Sequence, residues 1–115
     1  MNVENFINRL QENPKSNTFQ DTIAVIDANY TFTPSAFKNG EQYNQAGENE
    51  GSCKIFAFAK AKKLNQEETL ACFGNYYFEE VLLHPKASNH QNIRNFMAFG
   101  WEGISFEVDP LSPKK

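Results

Sequence analysis

No stretch of this chain approaches the roughly 18 apolar residues that a membrane-spanning helix requires. Cysteine is scarce. The two present, Cys53 and Cys72, make no disulfide framework, and both fall inside helical patterns, so a reducing cytosol suits the chain. Met1-Asn2-Val3-Glu4-Asn5 lacks the basic start and apolar core of a secretory signal. Positive charge is also short: 11 Lys and Arg face 14 Asp and Glu, for a net charge of −3. Nucleic-acid binding draws on a basic face that releases phosphate counterions, so it is not expected here. Three of the nearest cluster, Lys54, Lys60, Lys62 and Lys63, sit where a helix should end and would complement its dipole. Two cysteines nineteen apart and two histidines six apart match no close ligand pair of a structural zinc site, and no cofactor is implied. Internal repeats are absent.

Aromatic residues, by contrast, are plentiful. Phe alone occurs 11 times in 115 residues, enough for a real core, since each buried ring removes on the order of 150–250 Å² from water. The length fits one domain, expected over residues 1–109 with a frayed tail over 110–115. Val3, Phe6, Ile7 and Leu10 share one helical face, which Pro14 stops. Thr18 is an N-cap for a second helix with a Phe19, Ile23, Ile26 and Tyr30 stripe. Tyr30-Thr31-Phe32-Thr33 alternates. Asn39-Gly40 then suits a hairpin turn between Phe37 and Tyr43. Asn44 to Ser52 reads as a polar loop, and Ser52 as the cap of a third helix from Cys53 to about Lys63. That helix is apolar nearly all round and therefore central. Asn65 and Glu68 form a capping pair for a fourth helix, in which Gly74 signals close packing or a break. Ser88 and Gln91 repeat the capping spacing for a last helix that Gly100 ends. Ile104 to Val108 alternates as a strand whose partner should lie within Phe32 to Tyr43. The expected fold is α+β and helix-dominated: about five helices around a central one, with a small two- or three-stranded antiparallel sheet.

Chemistry could reside in few places. Cys53 would sit in a helix's first turn, where the dipole lowers a thiol pKa, and His90 opens a helix beside Asn89 and Asn92. A Cys-His-Asn arrangement is thus one reading, and a buried, inert Cys53 the simpler one. Arg94 lies between Ile93 and Phe96 and suits an anionic ligand or an ion pair with Asp27 or Glu80. Trp101 could line a pocket or anchor the core. Asn49, Ser52, Lys54, Asn92, Arg94 and Trp101 are the candidate binding residues, and Cys53 with His90 the candidate catalytic pair.

Three stretches together are similar to one family. They are Asp21 to Tyr30 with Phe32-Thr33-Pro34 and Ala36-Phe37; Ala46 to Asn49 with Gly51 to Ala59; and His90 to Met97 with Gly100-Trp101 and Gly103-Ile104. The chain resembles the HopJ type III effector family from about Phe6 to Phe106, most specifically between His90 and Trp101. The resemblance implies delivery into a eukaryotic host cell and action on a host protein. It implies no reaction, cofactor or catalytic set. The helix beginning near Val3 leaves no spare leader ahead of the domain. Action by binding a host partner, or a small anion near Arg94 as a resident protein, is expected ahead of cysteine catalysis.

Overall fold

A computed structural model describes residues 2–114. Helix α1 (Val3–Glu12) buries Phe6 and Leu10, and the Asn2 side chain accepts a hydrogen bond from the Asn5 N–H at its start. A 3-10 turn (Pro14–Ser16) leads to α2 (Phe19–Asn29), where Thr18 accepts from the Asp21 N–H as the sequence predicts. Helix α3 (Glu50–Ala61) is central: Ile55, Phe56, Phe58 and Ala59 are wholly buried. The Phe56 ring is the hub, lying 5.0 Å from Phe96 and 5.4 Å from Phe73, with Phe37 and Trp101 edge-on. Aromatic pairs of this kind add about 0.5–1.5 kcal/mol each beyond the area they bury.

Helix α4 (Gln66–Cys72) begins with the full Asn65–Glu68 capping box. It breaks at Gly74, whose φ is +56° and where a Cβ would stand 2.6 Å from the Thr18 backbone. The Asn17 amide and the Thr22 hydroxyl donate to the Ala71 and Cys72 carbonyls at this end, satisfying acceptors that the broken helix leaves free. The chain then winds into a π-helical turn (Tyr76–Val81) before α5 (Gln91–Phe99), which ends at Gly100 with φ +63°.

Strands β2 (Phe37–Asn39) and β3 (Gln42–Asn44) form the expected hairpin, but its turn is Gly40-Glu41, one residue beyond the expected Asn39-Gly40, so Asn39 is a buried strand residue; β4 (Ile104–Phe106) adds antiparallel to β2. Strand β1 (Tyr30–Phe32) belongs elsewhere. It pairs with β5 (Leu111–Pro113), a segment expected to fray, so the fold continues past residue 109. Two prolines hid that strand from the pattern. Pro113 stands at its end in a two-stranded edge, where a missing N–H costs little, and Leu111, opposite Phe32, joins the core.

Two helix starts also differ from expectation. Helix α3 begins at Glu50 behind Asn49, three residues ahead of where a Ser52 cap would place it. Helix α5 begins behind His90, while Ser88 only accepts through its carbonyl from the Gln91 side chain. In both cases a non-glycine residue in the left-handed region turns the chain into the helix, and a Ser cap is not used.

Candidate functional site

The first turns of α3 and α5 meet the π turn around a cleft of about 340 Å³. Gln42, Asn49, Ser52, Tyr76, His90 and Asn92 are among its lining residues. Its floor is a network of carboxamides. Asn92 donates to Asn44 Oδ1 at 3.1 Å, and its own Oδ1 accepts from Asn39 at 3.0 Å and from Asn44 at 3.3 Å. Asn49 and Gln42 also donate to Asn44 Oδ1, at 2.7 and 3.1 Å. Asn39, Asn44 and Asn92 are all buried, and Asn39 Oδ1 has no partner. Buried amides without partners cost roughly 1–3 kcal/mol each, so these side chains are held by mutual need.

The wall is aromatic and titratable. The His90 ring stacks on Tyr76 with centroids 5.0 Å apart, and its Nε2 lies 2.8 Å from Glu80 Oε1. Phe19 packs against Tyr76 in turn, at 4.7 Å. The π turn brings Tyr76 and Glu80 onto the same side of the chain, both against His90.

The backbone around this cleft is unusual three times over. Asn49 has φ 50° and ψ 48°, His90 has φ 53° and ψ 48°, and Tyr76–Val81 is π-helical. A left-handed L-residue costs roughly 1–2 kcal/mol, less for Asn, and π turns are rare and concentrate at functional sites. Neither Asn49 nor His90 caps its helix with a side chain, so the positive ends of α3 and α5 both come to the cleft without a side-chain oxygen on them.

The structure brings Asn49, Ser52, His90 and Asn92 together and sends the other candidates elsewhere. Cys53 turns into the core at 2% exposure, with its thiol 3.9 Å from the Ser35 carbonyl. Burial pushes that thiol up to about 11; the Ser35 bond acts against the shift, and the charge of Glu50 adds to it. Roughly one such thiol in ten thousand is a thiolate at neutral pH, the reverse of what nucleophilic catalysis requires. Cys53 and His90 are not hydrogen-bonded to one another: His90 is engaged with Glu80 and Tyr76.

Arg94 makes no ion pair with Asp27 or Glu80. Its guanidinium donates to the Asn89 and Pro85 carbonyls and to Asn89 Oδ1, stapling the 82–89 loop onto α5. Asp27 instead pairs with Lys54 at 2.9 Å, and Lys54 also lies over the Phe32 ring. Trp101 anchors the core against Phe56 and Phe96 and donates to the Leu64 carbonyl at 3.1 Å. Among the described residues no group of three His, Cys, Asp or Glu side chains could hold a metal ion.

Asn39, Gln42, Asn44 and Tyr76 are not among the sequence candidates, and Glu80, expected against Arg94, faces His90 instead. One signal was available. Asparagines recur at 39, 44 and 49 on the hairpin side and at 89, 92 and 95 before and along α5, and the fold brings 39, 44, 49 and 92 into one network.

No protein of curated function matches this chain. A crystal structure of VPA0580, described as a protein of unknown function, is similar over 99% of this chain and 95% of its own, with 54% identity and a TM-score of 0.97. At that identity the fold is shared almost throughout. Residues 3–111 match the HopJ type III effector protein family, and the chain belongs to it.

Proposed function

We propose that this chain works by binding, and that the cleft around His90 receives a polar, hydrogen-bonding group of a ligand or partner. The concentration of costly backbone geometry at one place carries this reading: two left-handed helix entries and a π turn all face the same opening. Strain of that kind persists only where surrounding structure enforces it, and it clusters at ligand clamps and active sites. The lining sets the chemistry. Gln42, Asn49 and Gln91 bring amides, Ser52 a hydroxyl, and Phe19, Tyr76 and His90 a packed aromatic wall, in which His90 is engaged with Glu80. Such a site suits a flat, uncharged group bearing both donors and acceptors, such as an amide or a base edge, set against the aromatic wall. Membership of an effector family supports a role for the protein in a host cell after type III delivery, with the bacterial cytoplasm as its place of synthesis.

Thermal-shift screening against amides, sugars and nucleosides tests the site. Ligands that raise Tm are expected, and Ser52→Trp, which fills the opening, should abolish the rise. Ligands whose effect survives S52W would place binding elsewhere and end this reading. Delivery is tested separately by fusing residues 1–30 to a translocation reporter; silence in a secretion-competent strain would count heavily against it.

A further inference from the structure

A second surface lies on the other side of α5. Residues 82–89 (LLHPKASN) are exposed without interruption, and Leu83 is 69% exposed. Between the end of the π turn and α5 they frame a groove of about 330 Å³, lined by Val81, Leu82, Pro85, Arg94, Met97 and Ala98. Leu82 and Met97 are large apolar side chains exposed to 43% and 38%. The groove is therefore an apolar slot, and water is a poor occupant for it.

Its charge is the opposite of the protein's. The chain carries −3 overall, yet residues 81–98 contain no Asp or Glu and include Lys86, Arg94 and both histidines of the protein. Arg94 stands at the groove with three neutral oxygen partners and, among the described residues, no carboxylate within salt-bridge distance. Lys86 follows the lining Pro85 and is exposed. Of the neighbouring acids on the π turn, Glu80 is engaged with His90, and Glu79 is the one left free to oppose this field.

We propose that this groove docks an acidic amphipathic segment of a partner protein, with apolar side chains on Leu82 and Met97 and carboxylates toward Arg94 and Lys86. The size favours a single segment over a globular face, since stable protein interfaces bury about 1,200 Å² or more in total. A helix presenting apolar residues at i, i+3 or i+4, and i+7 fits such a slot, and charge complementarity steers its approach. This surface is independent of the cleft around His90, and the failure of either leaves the other standing.

The test uses 15N-labelled protein and two synthetic amphipathic helical peptides with the same leucine stripe, flanked by glutamate in one and lysine in the other. The glutamate peptide should shift the amide signals of Leu82, Met97 and Ala98 saturably, and more weakly at high salt. Met97→Glu and Lys86→Glu, both exposed and outside the core, should each weaken it about tenfold, or 1.4 kcal/mol. Arg94 is left intact because it holds the loop. Equal binding of the lysine peptide, shifts confined to another face, or none at all would overturn the proposal. So would binding to phosphatidylserine vesicles without binding to the peptide, which would make this a membrane surface. Concentration-dependent shifts of the same residues without peptide would make it a self-association face and overturn it too.

Discussion

Helices α1, α2 and α4 start in one way, and α3 and α5 in another. The first three are entered from extended residues, Asn2, Thr18 and Asn65, whose side-chain oxygens close on first-turn amides. The other two are entered from left-handed Asn49 and His90, whose side chains point away to Asn44 and Glu80. The contrast is spatial as well as local. The capped starts serve the helical body, while the uncapped ones lie side by side at the cleft. Local stability is optimised in one region and given up in the other for the placement of amides and a histidine.

The largest expected effect tests how firmly the capped region is seated. Gly74→Ala puts a Cβ against the backbone of Thr18, the α2 cap, at a residue whose φ is positive. It should lose about 3 kcal/mol in chemical denaturation, through clash and left-handed strain together. Asn92→Ala strikes the cleft instead. It strips buried partners from Asn39 and Asn44 and should cost about 2 kcal/mol, twice a typical cap. If it cost less than Asn65→Ala, the cleft floor would not be the cooperative network described here.

The α3 start has its own pH signature. Burial raises the folded Cys53 thiol from 9.0 to about 11, so the fold favours the neutral form. Its contribution is whole below pH 9 and drains away as pH rises toward 11. Cys53→Ala should flatten part of that alkaline decline, and Cys72, also pushed up by burial, should keep the remainder. A thiol that alkylates rapidly in the native protein at neutral pH would contradict the closed environment of Cys53.

The smallest effects sharpen the comparison most directly. Thr18→Ala or Asn65→Ala should each lose about 1 kcal/mol, the usual worth of an N-cap. Asn49→Gly should change stability by only a few tenths of a kcal/mol, because relief of the left-handed backbone offsets the lost bond to Asn44. Equal losses at all three positions, read from urea midpoints, would erase the distinction between the two kinds of start.

What could be read from the sequence follows the same division. Thr18, the Asn65–Glu68 box, the hairpin at Gly40, though not its exact turn pair, and the Gly100 stop were legible because their signals lie within four residues of one another. The central place of α3 was legible from its apolar circumference. The cleft was half legible. Asn49, Ser52, His90 and Asn92 share it as candidates, but Cys53 is one residue too far round the helix and faces the core. Arg94 suits an anionic ligand or an ion pair on sequence grounds, and in the fold loop oxygens take the place of the Asp27 or Glu80 carboxylate. The carboxamide network and the β1–β5 pair depend on contacts between residues some fifty to eighty positions apart, which no local pattern encodes.

The β1–β5 pair also decides how the domain yields to force. The chain enters β1 from α2 at Tyr30 and leaves β5 at Pro113, and these two residues face each other at one end of the antiparallel ladder. Tension between residues 2 and 114 therefore loads one rung at a time, beginning with that pair, and never the whole ladder in shear. At the other end α1 can be peeled from the core turn by turn. Among the described residues, then, this ladder opens as a zipper rather than as a shear clamp, and the phenylalanine core behind it carries the rest of the resistance to pulling.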